Sequence, residues 1–159
     1  MRRIFKGIAV GSAVAGSLIL GSGQAVAAPL WQPISGPFTS CAKTVGHTAV
    51  SGVNFQGCLI VNANMDAQVV LVVNNHSGRA VTISGQIESD FGNASCVQTT
   101  LNTGTQRACY GPTSALAQCR EGHADVAGPY GGTVRFTVEG VVNEMESTTA
   151  CNGYADPVD

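Results

Sequence analysis

The chain has 159 residues, of which 44% are hydrophobic and only 11% are charged, and its formal net charge at pH 7 is −2. A chain with so few cations lacks the basic surface with which proteins bind nucleic acids or anionic membranes. Its length fits one folded domain. We therefore expect a single-domain protein whose partner is neither a nucleic acid nor a membrane.

Residues 1–27 have the pattern of a secretory signal peptide. Three basic residues precede an apolar run from Ile8 to Leu20, and small residues then lead to a cleavage site after Ala27. The apolar run is short for a membrane span, and cleavage after Ala28 is less favourable because Pro29 would follow it. The mature chain keeps five cations against ten acids, a net charge of −5. We predict a secreted, extracellular protein with no membrane insertion after cleavage.

Residues Ala28 to Ser40 are predicted to form an extended arm. The segment has three prolines, which remove amide donors and favour extended backbone. It also carries the only tryptophan of the chain, Trp31, for which two roles are open: covering one end of the core, or docking into a partner protein. If the arm docks, the expected contact residues are Trp31, Pro33, Ile34 and Phe38.

All six cysteines follow the signal peptide, and an even number in an exported chain predicts a disulfide framework. No pair has the C-x-x-C spacing of thioredoxin-like or zinc sites. Sequence alone does not choose among the possible connectivities. We prefer the pairing of neighbours, because strand-loop-strand units bring such residues close. The expected bonds are Cys41–Cys58, Cys96–Cys109 and Cys119–Cys151.

The stretch from Gly57 to Glu88 predicts three consecutive antiparallel strands. Its apolar runs, Cys58–Val61, Val69–Val73 and Val81–Ile87, are rich in Val and Ile, which pack well on a pleated surface. The segments between them contain Asn, Asp and Gly, which are typical of turns. His76 lies in the second of these turns, where we expect it to be exposed.

Further strands are predicted on the C-terminal side. Cys96–Leu101 has the pattern of a strand, and Thr105–Tyr110 is expected to pair back with it. Thr113–Cys119 is the one mature segment with helical propensity, enough for one or two turns. Thr133–Val142 alternates apolar and polar residues, which predicts a half-buried strand. Ser147–Cys151 is expected to be a last short strand.

These elements predict an all-β fold for residues 41–159. About seven to nine short strands with frequent turns favour a Greek-key or immunoglobulin-like β-sandwich, with three disulfides and at most one short helix. A small closed barrel is the alternative.

No catalytic, cofactor or metal motif stands out. The three histidines, His47, His76 and His123, are far apart and have no ligand at metal-binding spacing. A nucleophile elbow is absent from the sequence, and the carboxylates fall in predicted turns or on polar strand faces, where they are usually solvated. The sequence therefore predicts a protein that is not an enzyme. A small-molecule ligand is not expected either, since few aromatic residues are available to line its site.

Two local motifs allow a second interpretation. Asn75 and Asn93 each begin an N-glycosylation sequon, which we interpret as turn chemistry.

An alternative function is suggested by the residues beside Cys109, which are Gln106, Arg107 and Ala108. A disulfide-braced loop that displays an arginine could inhibit a trypsin-like protease. The simpler interpretation, a surface arginine next to a structural disulfide, is favoured.

The whole plan resembles a known group of proteins. The signal peptide, the arm APLWQPISGPFTSC and the six-cysteine β-domain are similar to the small secreted β-sandwich proteins of Streptomyces and relatives, in particular the adaptor subunits of umbrella toxin particles. Such a subunit links a lectin component to a large repeat-bearing polypeptide. The resemblance implies an adaptor that binds another secreted protein through its N-terminal arm and β-domain, without catalysis.

Overall fold

The computed structural model describes residues 31–35, 38, 40–64, 66–116 and 130–150, and these form two antiparallel β-sheets. The described residues contain no helix. The strands, in chain order, are β1 (Ser40–Cys41), β2 (Val45–Gly46), β3 (Val53–Val61), β4 (Asp66–Asn75), β5 (Val81–Ser89), β6 (Ala94–Leu101), β7 (Gln106–Tyr110), β8 (Ser114–Ala115), β9 (Gly132–Val138) and β10 (Val141–Glu146).

The strands divide between the sheets in a way that requires repeated crossing. In sheet 1, β4 lies between β3 and β7, while β1 and β2 pair with β3 and β8 pairs with β4. In sheet 2 the order is β10, β9, β5, β6. The chain therefore changes sheet after β4 and after β6, and has returned to sheet 2 by β9. The two sheets pack face to face as a β-sandwich, which confirms the all-β prediction.

One hydrophobic core fills the space between the sheets. Alternate residues of each strand point inward, as the two-residue period of a strand requires. Sheet 1 contributes Phe55, Leu59 and Leu71, and sheet 2 contributes Ile83 and Phe136, all of them almost completely buried. In β9 the predicted alternation of Val134, Phe136 and Val138 is confirmed, since all three are fully buried.

The continuous apolar run in β4 has a different cause. Val69, Leu71 and Val73 face the core, whereas Val70 and Val72 belong to a second apolar cluster with Ala108 of β7. The strand is buried on both faces, so it needs apolar residues at successive positions. This explains why the sequence reads Val-Val-Leu-Val-Val and does not alternate.

The predicted strand Thr133–Val142 is in fact a hairpin. Val138 pairs with Val141, which leaves Glu139 and Gly140 as a two-residue turn between β9 and β10. Both turn residues have positive φ, 49° and 82°, the backbone geometry of a type I′ turn. The chain leaves β10 at Ser147, so the predicted strand Ser147–Cys151 is wrong for its described part, where a single bridge joins Tyr130 to Ala150.

Two other predictions need correction. β7 pairs with β4 of sheet 1, and not with β6, because the chain crosses between sheets in the intervening turn. The described part of the predicted helix Thr113–Cys119 contains β8, which pairs with the start of β4. A strand partner there overrides a weak helical propensity.

Two of the three expected disulfides are present. Cys41–Cys58 joins β1 to its neighbour β3, with Cα atoms 4.0 Å apart. Cys96–Cys109 joins β6 of sheet 2 to β7 of sheet 1, with Cα atoms 5.9 Å apart. Cys119 and Cys151 lie outside the described residues. A search of the described part for a helix long and apolar enough to cross a bilayer finds none.

Candidate functional site

Trp31 closes the gap between the sheets at the β6–β7 side. Its indole N–H donates to the carbonyl of Val97 in β6 at 2.9 Å, and its ring meets Phe136 edge-on with centroids 6.3 Å apart. Gly85 makes room for the ring, because a Cβ there would lie only 3.0 Å from it. The next residue, Gln32, exchanges two backbone hydrogen bonds of 2.9 Å with Ala108. Trp31 is thus partly buried and held against the core.

The rest of the arm contacts the outer face of sheet 1. Ile34 and Phe38 pack on the cluster formed by Cys58, Val70, Val72 and Ala108. The backbone N–H of Ser35 donates to the hydroxyl of Tyr110 at 3.0 Å. Pro33 is exposed. Of the four residues predicted to dock into a partner, three therefore make contacts within the chain.

The segment of the alternative inhibitor interpretation is a strand, as predicted for Thr105–Tyr110. Gln106, Arg107 and Ala108 belong to β7, and Arg107 pairs with Val73 of β4. Ala108 is fully buried and bonded to the arm on its other side. An inhibitor loop must present its backbone to a protease, so this geometry gives the inhibitor hypothesis no support.

His47 is buried and has a structural role. Its Nε2 lies 3.1 Å from the carbonyl oxygen of Phe136, and its Nδ1 lies 3.1 Å from the backbone nitrogen of Ala49. Since the amide of Ala49 can only donate, Nδ1 accepts and the proton of the neutral ring is on Nε2. Burial lowers the pKa of His47, although backbone hydrogen bonds with Phe136 and Val141 act in the opposite direction. His76 is exposed, as predicted, and His123 lies outside the described residues.

The two sequons differ in their environment. Asn75 is fully buried, and its side-chain amide donates to the carbonyls of Arg79 and Leu101. Its Oδ1 accepts from the backbone N–H of Ser77. This geometry supports the interpretation of Asn75 as turn chemistry. Asn93 is exposed, and its Oδ1 accepts from the backbone N–H of Ser89.

β10 forms one open edge of sheet 2, because it pairs with β9 alone among the described residues. The N–H of Ser147 donates to the carbonyl of Gly132. Hydrogen-bonded and free positions alternate along an antiparallel pair, so the positions two and four residues before Ser147 also bond to β9. The residues between them, Val142, Glu144 and Glu146, direct their backbone groups away from β9. We call these three residues the β10 edge.

Large apolar side chains are exposed at the start of this strand. Val141 is 44% exposed and Val142 is 53% exposed, whereas the other valines of β9 and β10 are buried. Asn143 points to the sandwich side and holds the β2–β3 loop, since its side-chain amide donates to the hydroxyl of Thr48 at 2.9 Å and its Oδ1 accepts the N–H of Thr48. The β2–β3 loop therefore contacts β10 on the face that points toward sheet 1.

The outer face of sheet 2 next to this edge is acidic. Arg135 of β9 bonds to Glu88 of β5 and to Glu144 of β10, the latter at 3.1 Å. These hydrogen bonds, first that of Glu88, raise the pKa of Arg135 above its ordinary value. Glu146 accepts from the hydroxyl of Thr133 at 2.9 Å. The strands of sheet 2 carry one cation, Arg135, against these three glutamates.

An open depression of about 500 Å³ lies at the end of the β10 edge. Its acidic lining residues are Glu88, Asp90 and Glu146. A carboxylate oxygen of Asp90 accepts from the backbone N–H of Gly131 at 2.9 Å. Within the described residues, no group of three or more His, Cys, Asp or Glu side chains has the geometry to hold a metal ion.

The β10 edge is not among the features predicted from the sequence. Glu139-Gly140 was the available signal, because a glycine after a polar residue between apolar runs marks a two-residue hairpin. Searches for similar proteins do not assign a function: no protein-family model matches the chain, and no curated protein or solved structure is significantly similar to it.

Proposed function

We propose that this protein is a secreted protein-binding module that acts as an adaptor or assembly subunit of an extracellular, toxin-like complex, without chemistry of its own. The observation that carries the proposal is the β10 edge, whose backbone donors and acceptors face away from the fold beside two exposed valines. Such an edge binds an extended segment of another protein by strand addition.

The disulfides support an extracellular location. Cys41–Cys58 and Cys96–Cys109 require an oxidising compartment, which agrees with a signal peptide over residues 1–27. We also propose an immunoglobulin-type Greek-key connection for the sandwich. The supporting feature is that the sheet changes bring β7 beside β4 and β9 beside β5.

The partner site is assigned to β10 and not to the arm. Trp31, Ile34 and Phe38 contact residues of the domain itself, so a partner could take them only after breaking those contacts. The β10 edge requires no such rearrangement.

The test is capture of a secreted partner from the medium in which the protein is produced. We expect tagged wild-type protein to retain a defined partner and the Val142→Pro variant to lose it. Proline at 142 removes an outward N–H and spares the hydrogen bonds to β9.

Thr100→Pro is the matched control on the other edge strand of sheet 2. The N–H of Glu139 donates to the carbonyl of Thr82, so Thr82 bonds toward β9 and its β6 partner Thr100 directs its backbone outward. Equal capture by wild type and both variants would contradict the assignment to β10. The absence of any retained protein would contradict the adaptor function.

A further inference from the structure

The side chains at the β10 edge restrict the kind of strand that can be added. Val142, Glu144 and Glu146 lie on the outer face of sheet 2, because they pair with the outward-facing Thr137, Arg135 and Thr133. An added strand would place alternate residues on this same face, directly beside them. One apolar position and two acidic positions therefore face the partner.

Both glutamates can accept more hydrogen bonds than they do. The side chain of Glu144 is 62% exposed, and its Oε2 takes the bond from Arg135. Glu146 uses Oε1 for the hydroxyl of Thr133. A carboxylate has two oxygens and about four lone-pair sites, so each retains room for a cation.

A second copy of this chain fits the edge poorly. Antiparallel self-pairing that uses all three residues of the edge would place Glu144 opposite Glu144 of the other copy. Like charges directly opposite each other on a sheet are destabilising. Self-pairs centred on Val142 or on Asn143 avoid this contact, but both leave Glu146 without a partner in the strand of the other copy. The charges favour a different protein with a basic segment.

We propose that the β10 edge binds an extended strand of a partner protein with cationic residues at two alternate positions and an aliphatic residue two positions further on. This inference rests on the adaptor function proposed above. For antiparallel addition the segment reads Lys/Arg-x-Lys/Arg-x-Val/Ile/Leu. The first cation lies beside Glu146 and the depression next to it, the second beside Glu144, and the aliphatic residue beside Val142.

The test uses two synthetic peptides and the full mature protein. The probes are Ac-Thr-Lys-Thr-Lys-Thr-Val-Thr-NH2 and the same peptide with Glu in place of both Lys. Backbone amide shifts in NMR titrations report both the affinity and the place of binding. We expect the cationic peptide to shift the amides of Val142, Glu144 and Glu146 and to bind at least about tenfold more tightly than the acidic one, from two charge pairs.

Variants separate the charges from the backbone. Joint substitution Glu144→Gln and Glu146→Gln should weaken binding of the cationic peptide by about tenfold, as should about 0.5 M salt, because the pairs are exposed. Val142→Pro should abolish the shifts. Asp66→Asn, which removes one carboxylate from sheet 1, should leave affinity unchanged. Trp31 fluorescence establishes that each variant is folded.

The experiments distinguish a wrong charge assignment from a wrong adaptor function. No binding of the cationic peptide, equal affinities for the two peptides, or shifts located away from β10 would each overturn the cationic strand. If a captured natural partner is lost with Val142→Pro but is indifferent to the glutamine substitutions and to salt, the adaptor function stands and the charge assignment is wrong.

Discussion

Asn75 is the residue on which two loops and the end of one strand depend. Its amide joins the β4–β5 loop to the end of β6, and its own backbone N–H donates to Thr105 in the β6–β7 turn. Every polar atom of this buried side chain has a partner. Polar residues are tolerated in a core on that condition. The position therefore stabilises the fold and offers no acceptor for a glycan.

Asn75→Asp should lower the free energy of unfolding by about 2–3 kcal/mol or more, because the carboxylate cannot donate to the carbonyls of Arg79 and Leu101. Urea denaturation measures the loss. Asn93→Asp is the control, since Asn93 is exposed and its oxygen acts only as an acceptor for Ser89; its effect should stay within about 0.5 kcal/mol. Equal losses for the two variants would contradict the role given to Asn75.

His47 makes stability depend on pH. Its pKa is lowered in the folded state, so the unfolded chain binds a proton more readily. The stabilisation is fully present above the ordinary histidine pKa of about 6.5 and is lost progressively below it. Comparison of unfolding free energies at about pH 7.5 and about pH 5 should show this loss. The variant His47→Gln should show a smaller one, and an unchanged pH dependence would show that other groups cause it.

At the scale of elements, the arm acts as a strap. It begins between the sheets with Trp31, bonds to β7 through Gln32, and crosses the outer face of sheet 1 to reach β1 at Ser40. An apolar outer face on β4 and β7 requires such a cover. The packing therefore favours the first of the two roles open for Trp31, covering the core.

Trp31→Ala should lower the free energy of unfolding by about 3 kcal/mol, since it leaves a cavity and an unpaired carbonyl at Val97. Thermal melting measures the effect, and Pro33→Ala on the exposed part of the arm is the control. Wild-type emission should be blue-shifted and protected from quenchers. Red-shifted emission together with an unchanged melt of Trp31→Ala would instead support an arm that is free to dock.

Gly85 offers an independent test of the same packing. A methyl group at this position would lie 2.8 Å from a methyl of Leu71 and 3.0 Å from the Trp31 ring. Gly85→Ala should therefore destabilise the fold by about 1–3 kcal/mol and shift the tryptophan emission to the red. Gly78, whose added methyl meets nothing within 4 Å, is not a matched control because its φ is positive. Thr82→Ala, on the outer face of the same strand, serves better.

Local sequence predicted the central strands well and the pairing between strands poorly. The runs in β3, β4 and β5 lie inside their observed bounds, because β-branched residues and polar turns are local signals. The turn at Glu139 was missed because glutamate is unusual at positive φ. The β10 edge follows from strand order, which depends on contacts far apart in sequence. No local pattern could have placed β7 beside β4.

At the scale of the whole molecule, the two sheets have different outer surfaces. The apolar cluster on the outside of sheet 1 is covered by the arm, whereas sheet 2 presents mainly hydroxyl, amide and charged side chains to solvent, with Val142 exposed among them. The continuous apolar run of β4 indicates that sheet 1 is buried on both faces. The alternating pattern of β9 indicates that sheet 2 is buried on one face only. The edge proposed for binding belongs to the solvated sheet.

The third disulfide is a prediction for the complete chain. With Cys41–Cys58 and Cys96–Cys109 formed, Cys119 and Cys151 are left to pair with each other. Alkylation of the unreduced, unfolded protein followed by mass spectrometry should show no modified thiol. Two labelled cysteines at these positions would contradict a closed framework.

The place of Trp31 also determines when this domain can finish folding. Its hydrogen-bond acceptor, Val97, lies 66 residues later, and its ring partner Phe136 belongs to the last hairpin. During synthesis the arm is made before the strands that it contacts. It can therefore take its final position only after β9 has been made. Until then the valines on the outside of β4 have no cover, and such surfaces invite aggregation. The fluorescence of Trp31 should therefore report late steps of folding, because its surroundings are complete only when β9 and β10 have formed.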